Sequence, residues 1–136
     1  MNEFRDVVVQ SGIKSSSRLC RLVDEFSTAG IASLPILLDA LKHPLEEVRG
    51  TAARALGRIE DGRDEVIDAL ATAMRDEAVI VRQSAAAALG VMEALSSDAI
   101  TVLCQGLDDE DRHVREFSAM ALDQYVQNQQ LIAKVG

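Results

Sequence analysis

An internal repeat of 33 residues is the feature that most constrains this chain. A Val-Arg dipeptide recurs at 48, 81 and 114, and the segments that follow it align without gaps. Each segment has a pair of small residues and then an Ala-Leu pair: Ala52-Ala53 and Ala55-Leu56, Ala85-Ala86 and Ala88-Leu89, Ser118-Ala119 and Ala121-Leu122. A unit of this length cannot bury its apolar faces alone, so the repeat predicts an array of stacked units.

Apolar residues within each unit follow the period of an α-helix. In the second part of a unit they fall at offsets 0, 4, 7, 8 and 11 from the Val, and in the first part at offsets 0, 3 and 7. A short polar break separates the two parts, and no alternation typical of a β-strand is sustained. The sequence therefore predicts an all-α fold, an α-solenoid of about four helical hairpins with eight helices.

The 33-residue period divides the chain into four units, which we expect to form a single domain over 1–136. The predicted units are a divergent N-terminal cap at 1–30, repeats at 31–63, 64–97 and 98–130, and a tail at 131–136. The cap carries Leu19 and Phe26 where later units have Ala52 and Ile59. Larger side chains suit a terminal unit that lacks one neighbour.

Charge and composition exclude several classes of function. The net charge is −8, and all of it lies in residues 64–136, which hold thirteen acids and five bases. Such a surface repels nucleic acid and anionic membranes, because binding to them requires Lys and Arg. No apolar run approaches the roughly 18 residues of a membrane span. We therefore expect a soluble, cytoplasmic protein that binds neither nucleic acid nor membrane.

The pattern formed by Asp76, Val81-Arg82, Ala85 and Ala88-Leu89-Gly90 resembles the HEAT repeat. It is most similar to the short HEAT-like repeat named after phycobilisome lyases. The resemblance covers about 31–127 well and 1–30 weakly. It implies an armadillo-like, right-handed superhelix in which the second helices line a concave face.

The recurring Arg of each unit lies one residue after a buried Val, on the flank of the second helix. From there its guanidinium can reach carboxylates or carbonyls of the next unit. An acid stands six residues before two of these Arg residues, whereas His43 takes that position in the second unit. In HEAT-like proteins such a ladder is structural, and the resemblance implies the same role for Arg49, Arg82, Arg115, Asp76 and Asp109.

Candidate chemical sites are few. The acids at 108–111 lie near His113 but fail the template of a calcium-binding loop, because Val114 stands where Gly is needed. Cys104 aligns with Leu38 and Ala71 and is expected in the core. No nucleophile has a nearby base, and no His-Glu dipeptide is present. We therefore expect no catalytic residue, no metal and no cofactor, and a protein that is not an enzyme.

The remaining candidate for a functional site is a binding surface on the side of the second helices that faces away from the core. The direction opposite the core passes through offsets −1, 2 and 6 from the Val, where several residues are apolar instead of polar. The candidate partner-binding residues are Arg54, Ile80, Gln83, Ala87, His113, Glu116, Phe117 and Met120. They predict a scaffold or adaptor that binds a protein, with a basic segment drawn to the acidic half. The alternative is an accessory or lyase-type subunit acting on a bilin-bearing protein, as the resemblance suggests.

The C-terminal segment, QNQQLIAKVG, is unexpectedly apolar for a free end. Residues 131–136 begin a fifth 33-residue period, and the fourth unit has larger residues than its counterparts, such as Phe117 and Met120. A terminal unit of a solenoid needs a polar outer face or a cap. We expect this end to contact something: the tail folding back, a second copy of the chain in a homodimer, or a downstream domain.

Overall fold

The computed structural model describes Phe4, Val8 and residues 15–135. Over this part of the chain every secondary-structure element is a helix and there is no strand. The helices are α1 (Ser16–Phe26), a 3₁₀ helix (Ser27–Ser33), α2 (Leu34–Ala40), α3 (Glu46–Ile59), α4 (Asp64–Ala73), α5 (Val79–Gly90), α6 (Ser97–Gly106) and α7 (Arg112–Val135). The prediction of an all-α solenoid is confirmed.

The helices pair into hairpins, α2 with α3, α4 with α5 and α6 with α7. These hairpins correspond to the second, third and fourth repeat units. Helix α1 is the second helix of the first unit, and the first helix predicted for that unit falls largely outside the described residues. Phe4, which is 1% exposed, donates from its backbone N–H to Oδ2 of Asp39 at 2.8 Å and so joins the first unit to α2.

The second helices form the more tightly packed layer of the stack. Contacts of α3 with α5 and of α5 with α7 are more extensive than those between the first helices. Gly57 makes the closest approach possible, since a Cβ built on it would lie 3.0 Å from Cβ of Ala88. A Cβ built on Gly90 would lie 3.6 Å from Cα of Ala121, which is an ordinary contact. Small side chains thus set the spacing between successive units.

Larger residues of the first helices fill the space between the layers. Leu37, Leu70 and Leu103 occupy equivalent positions in α2, α4 and α6, and none of them is exposed to solvent. They belong to the same buried cluster as the Val near the start of each second helix, such as Val81, which is 1% exposed. The core is therefore continuous along the stack and not divided into separate unit cores.

Two expectations about the C-terminal end are wrong. The segment 131–135 neither begins a new helix nor folds back, because α7 continues without a break to Val135. Leu131 is 64% exposed and Ile132 is 62% exposed. Cys104 is exposed, although the equivalent Ala71 is fully buried. The physical reason is position: Cys104 lies in the last described hairpin, and no further described hairpin is stacked on it.

Candidate interaction surface

A ladder of Arg and Asp side chains runs along the inter-helix loops. Arg49 donates from Nε to Oδ2 of Asp76 at 2.9 Å and from Nη2 to Oδ1 at 3.0 Å. Its Nη1 donates to the carbonyls of His43 and Pro44, both at 2.9 Å. One guanidinium thus binds its own loop and the loop of the next unit, a bidentate geometry that only Arg provides.

Arg82 repeats this arrangement one unit later. It donates from Nε to Oδ2 of Asp109 at 2.9 Å and from Nη2 to Oδ1 at 3.2 Å. Its Nη1 donates to the carbonyls of Asp76 and Glu77 at 2.9 and 3.0 Å. The side chain is only 11% exposed, so solvent screens this ion pair less than a surface pair.

Asp76 and Asp109 have a second role at the start of the following helix. Oδ1 of Asp76 accepts from the backbone N–H of Ala78, and Oδ1 of Asp109 accepts from that of Asp111, both at 2.9 Å. Burial raises the pKa of Asp76, but hydrogen bonds from Arg49 and Ala78 outweigh it and hold the pKa below its ordinary value. The carboxylate is therefore ionised over the whole neutral range.

Arg115 completes only half of the ladder geometry. Its Nη1 donates to the carbonyls of Asp109 and Glu110 at 2.8 and 3.1 Å, as in the earlier units. No described carboxylate bonds to its Nε or Nη2. The side chain is exposed at the end of the stack.

A groove of about 410 Å³ crosses the second helices α3, α5 and α7. Its floor is apolar and is formed by Gly57, Ala87, Ala88, Val91 and Phe117. We call it the second-helix groove. Val91 is 48% exposed, so the floor offers apolar surface to solvent.

Two Arg side chains border the groove on the side of the first unit. Arg58 donates from Nη1 to Oδ1 of Asp24 at 2.5 Å, and Nη2 of Arg54 lies 3.7 Å from the same oxygen. On the other side, Gln83 donates from Nε2 to Oδ2 of Asp111 at 3.0 Å. This bond, together with the N–H of Val114, keeps the pKa of Asp111 below its ordinary value.

The structure brings together four of the eight candidate partner-binding residues. Arg54, Gln83, Ala87 and Phe117 line the second-helix groove. The other four lie outside its lining: Ile80, His113, Glu116 and Met120.

Each of these four has a different environment. Ile80 packs over Gly50 of the preceding unit, where its Cγ1 lies 3.4 Å from a Cβ built on that glycine. Glu116 accepts from Nε of Arg112 at 2.9 Å, and Nδ1 of His113 lies 3.8 Å from Oε2 of Glu116. Met120 is 65% exposed, so the tail does not cover it.

Sequence reasoning missed Gly57, Arg58 and Val91, which also line the groove. Arg58 and Val91 both stand at offset 10 from the Val, one turn beyond the offset of 6 that gave Arg54 and Ala87. Because residues four apart share a helix face, extending the pattern by one turn finds both of them.

Within the described part of the chain, no three His, Cys, Asp or Glu side chains lie close enough together to hold a metal ion. His43 has its pKa lowered, first by burial and then by the charge of Arg49, and its Nδ1 accepts from the N–H of Leu45 at 3.1 Å. No described helix has the length and apolar character needed to cross a membrane.

Comparison with known proteins agrees with this architecture. A family model for HEAT repeats matches residues 17–90 and 67–133, which together span most of the chain. No curated protein matches the chain significantly. HEAT repeats are generally scaffolds for protein interaction and are typically not enzymes. With its stacked hairpins, its Asp–Arg ladder and this match, the chain belongs to the HEAT-repeat family.

Proposed function

We propose that this protein is a non-enzymatic scaffold that binds a segment of a partner protein in the second-helix groove. The observation that carries the proposal is the apolar floor built along three consecutive second helices, from Gly57 in α3, Ala87 in α5 with Val91 directly after it, and Phe117 in α7. A contact that spans three units can be made only on the assembled stack. The closer packing of the second helices supports a stack that curves towards this groove.

The chemistry of the groove favours a partner segment with an apolar centre and basic residues. An apolar side chain of the partner fits over Ala87 and Val91 and against Phe117. Asp24 partly neutralises Arg54 and Arg58, whereas Asp111 bonds to Gln83 on the other side of the groove. Residues 64–136 hold the whole net charge of −8, so basic residues of the partner are attracted to that side.

Blocking the groove without damaging the fold tests the proposal. Ala87→Arg places at 87 the residue that stands at the equivalent position 54, so the helix accepts it. Thr101→Arg, which changes an exposed residue of α6, is the control. In affinity capture with quantitative mass spectrometry, partners of the wild type should be lost with Ala87→Arg and kept with Thr101→Arg. Partners that bind both variants equally would place the binding surface elsewhere.

The strength of a purified complex gives a second readout. We expect Ala87→Arg to weaken it at least tenfold, which corresponds to about 1.4 kcal/mol, because the new side chain fills the apolar floor. The bilin-related alternative stays a prediction from the resemblance. A shift in tetrapyrrole absorbance on mixing with the protein would support it.

We also infer self-association through the C-terminal end of the stack. Leu107 and Val126 are 41% and 50% exposed there. Exposed apolar side chains at the end of a solenoid favour a contact that covers them.

A further inference from the structure

The fourth unit carries a charge at the position where the earlier units carry glycine. Gly57, Gly90 and Asp123 are equivalent residues, 33 positions apart. The two glycines face the next second helix, since a Cβ on either would lie 3.0 to 3.6 Å from an alanine of that helix. The Cβ of Asp123 therefore points out of the end of the stack. A further unit stacked in the same way would bury this carboxylate against its own helix.

Asp123 belongs to a stripe of α7 that, apart from Val126, is covered in the earlier units and open in this one. We call it the end stripe, and it consists of Arg115, Ala119, Leu122, Asp123 and Val126. Ala119 is exposed, although its counterparts Ala53 and Ala86 are fully buried. Leu122 is half-buried, whereas its counterparts Leu56 and Leu89 are fully buried. The end stripe thus has apolar and small residues at its centre and one charge on each side.

The cation of the end stripe is already oriented. Two carbonyls hold Nη1 of Arg115, just as two carbonyls hold Nη1 of Arg82. In Arg82 the remaining edge, Nε and Nη2, receives the carboxylate of Asp109 from the next unit. The same edge of Arg115 is therefore presented beyond the end of the stack, ready to receive a carboxylate.

The end stripe is complementary to itself. Arg115 lies four residues before Ala119, and Asp123 lies four residues after it. Residues four apart share a helix face, so all three lie on one line along α7. When two copies of α7 cross antiparallel at Ala119, the Arg115 of each copy faces the second copy's Asp123. Two ion pairs then flank a contact between two alanines, which lets the helices approach closely.

We propose that this protein forms a two-fold symmetric dimer in which the end stripes of two copies pair antiparallel about Ala119. The proposal deepens the self-association inferred above and does not depend on the second-helix groove. In a two-fold symmetric dimer both copies use the same surface, so that surface must be complementary to itself. The end stripe meets this requirement because its two opposite charges stand at equal distances from Ala119. Pairing also covers two apolar side chains that are in contact with water in the single chain. Leu122 is half-buried there and Val126 is exposed.

A head-to-tail arrangement fits the sequence less well. In that arrangement the first or second unit of another copy would stack on the fourth unit. It would meet Arg115 as the fourth unit meets the third, where Asp109 binds Arg82. The residues of those units at the position of Asp109 are Gln10 and His43, and neither is a carboxylate. The antiparallel pairing, by contrast, brings the carboxylate of Asp123 from a second copy to Arg115.

Exchange of the two charges tests the pairing. We expect the wild-type chain to sediment as a dimer. Arg115→Asp and Asp123→Arg should each raise the dimer dissociation constant at least tenfold, because each places like charges opposite one another. The double variant, Arg115→Asp with Asp123→Arg, restores opposite charges and should dimerise more tightly than either single variant. Asp68→Arg, which makes the same charge change on an exposed position of α4, should leave the dimer intact.

A monomeric wild type, or a double variant that stays monomeric while its circular dichroism shows an intact fold, would overturn the proposal. A cysteine at the predicted two-fold axis gives an independent test. With Cys104→Ser to remove the exposed native thiol, Ala119→Cys should form a disulfide between two copies under mild oxidation. Met120→Cys, one residue away and facing a different direction, should form it far more slowly. Equal rates at both positions would contradict the antiparallel pairing.

Discussion

Arg82 and Asp109 form a bidentate ion pair across 27 residues of sequence, with Nε and Nη2 of the Arg donating to the two carboxylate oxygens at 2.9 and 3.2 Å. Nη1 of the same guanidinium binds two carbonyls of the preceding loop. The pair therefore joins consecutive units at their loops, while the small residues of the second helices join them within the core.

Removing Arg82 should destabilise the protein more than removing Arg115. Arg82→Ala leaves Asp109 without its bidentate partner and two loop carbonyls without a donor, so we expect a loss of about 1–3 kcal/mol in the free energy of unfolding. Arg115→Ala removes only two bonds to exposed carbonyls and serves as the control. Urea denaturation of dilute samples measures both. Equal losses would show that the carboxylate half of the ladder contributes little.

The contribution of Asp76 should depend on pH. Its pKa is lower in the folded state than the ordinary value of 3.8, so the ionised form stabilises the fold. This contribution is present in full well above 3.8 and disappears as the pH falls from there through the folded-state pKa. Asp76→Asn should thus be less stable than the wild type at neutral pH, by about 1–3 kcal/mol. The difference should shrink in acid. A pH-independent difference would exclude the charge as its cause.

Alanine at two equivalent glycines should have opposite effects. In Gly57→Ala the new methyl group lies 3.0 Å from Cβ and 3.1 Å from Cα of Ala88, so units must move apart. Overpacking of this kind costs about 1–3 kcal/mol, which exceeds the gain in helix propensity of about 1 kcal/mol. In Gly90→Ala the closest atoms are 3.6 Å away, an ordinary contact. Thermal melts should show Gly57→Ala below the wild type and Gly90→Ala at or above it.

Ser118→Ala should stabilise the protein. Ser118 is fully buried, and its Oγ has no hydrogen-bond partner in the described part of the chain. The equivalent residues, Ala52 and Ala85, fill the same position without a polar atom. Removing a buried hydroxyl that lacks a partner should raise the free energy of unfolding by about 1 kcal/mol. Ser84→Ala, in the half-buried lining of the groove, is the control and should have a smaller effect.

Most of what the sequence predicts about this fold follows from the 33-residue repeat. Because Val81 and Arg82 recur in phase with Val48 and Arg49, the helices follow from the pattern, as does the position of each Arg beside an inter-helix loop. The end of the stack was harder to predict. Alignment with Ala71 suggested that Cys104 is buried, but burial depends on a neighbour that the alignment does not contain.

The groove was only partly predictable for a related reason. Ala87 and Phe117 follow from helix geometry, since they point away from the core. Whether Ile80 joins them depends on the offset between units, and it packs over Gly50 instead. Helix periodicity gives directions around one axis, whereas a groove that crosses three helices depends on how those axes are placed relative to one another.

The double role of Asp76 and Asp109 has a consequence for how the stack opens. Each carboxylate binds the preceding unit through its Arg and the N–H of Ala78 or Asp111 at the start of the next helix. The bond to the N–H lies within one unit, so separation of two units removes the Arg from the carboxylate and leaves the start of the helix bonded. An interface of this array therefore opens without unwinding the helix that follows it.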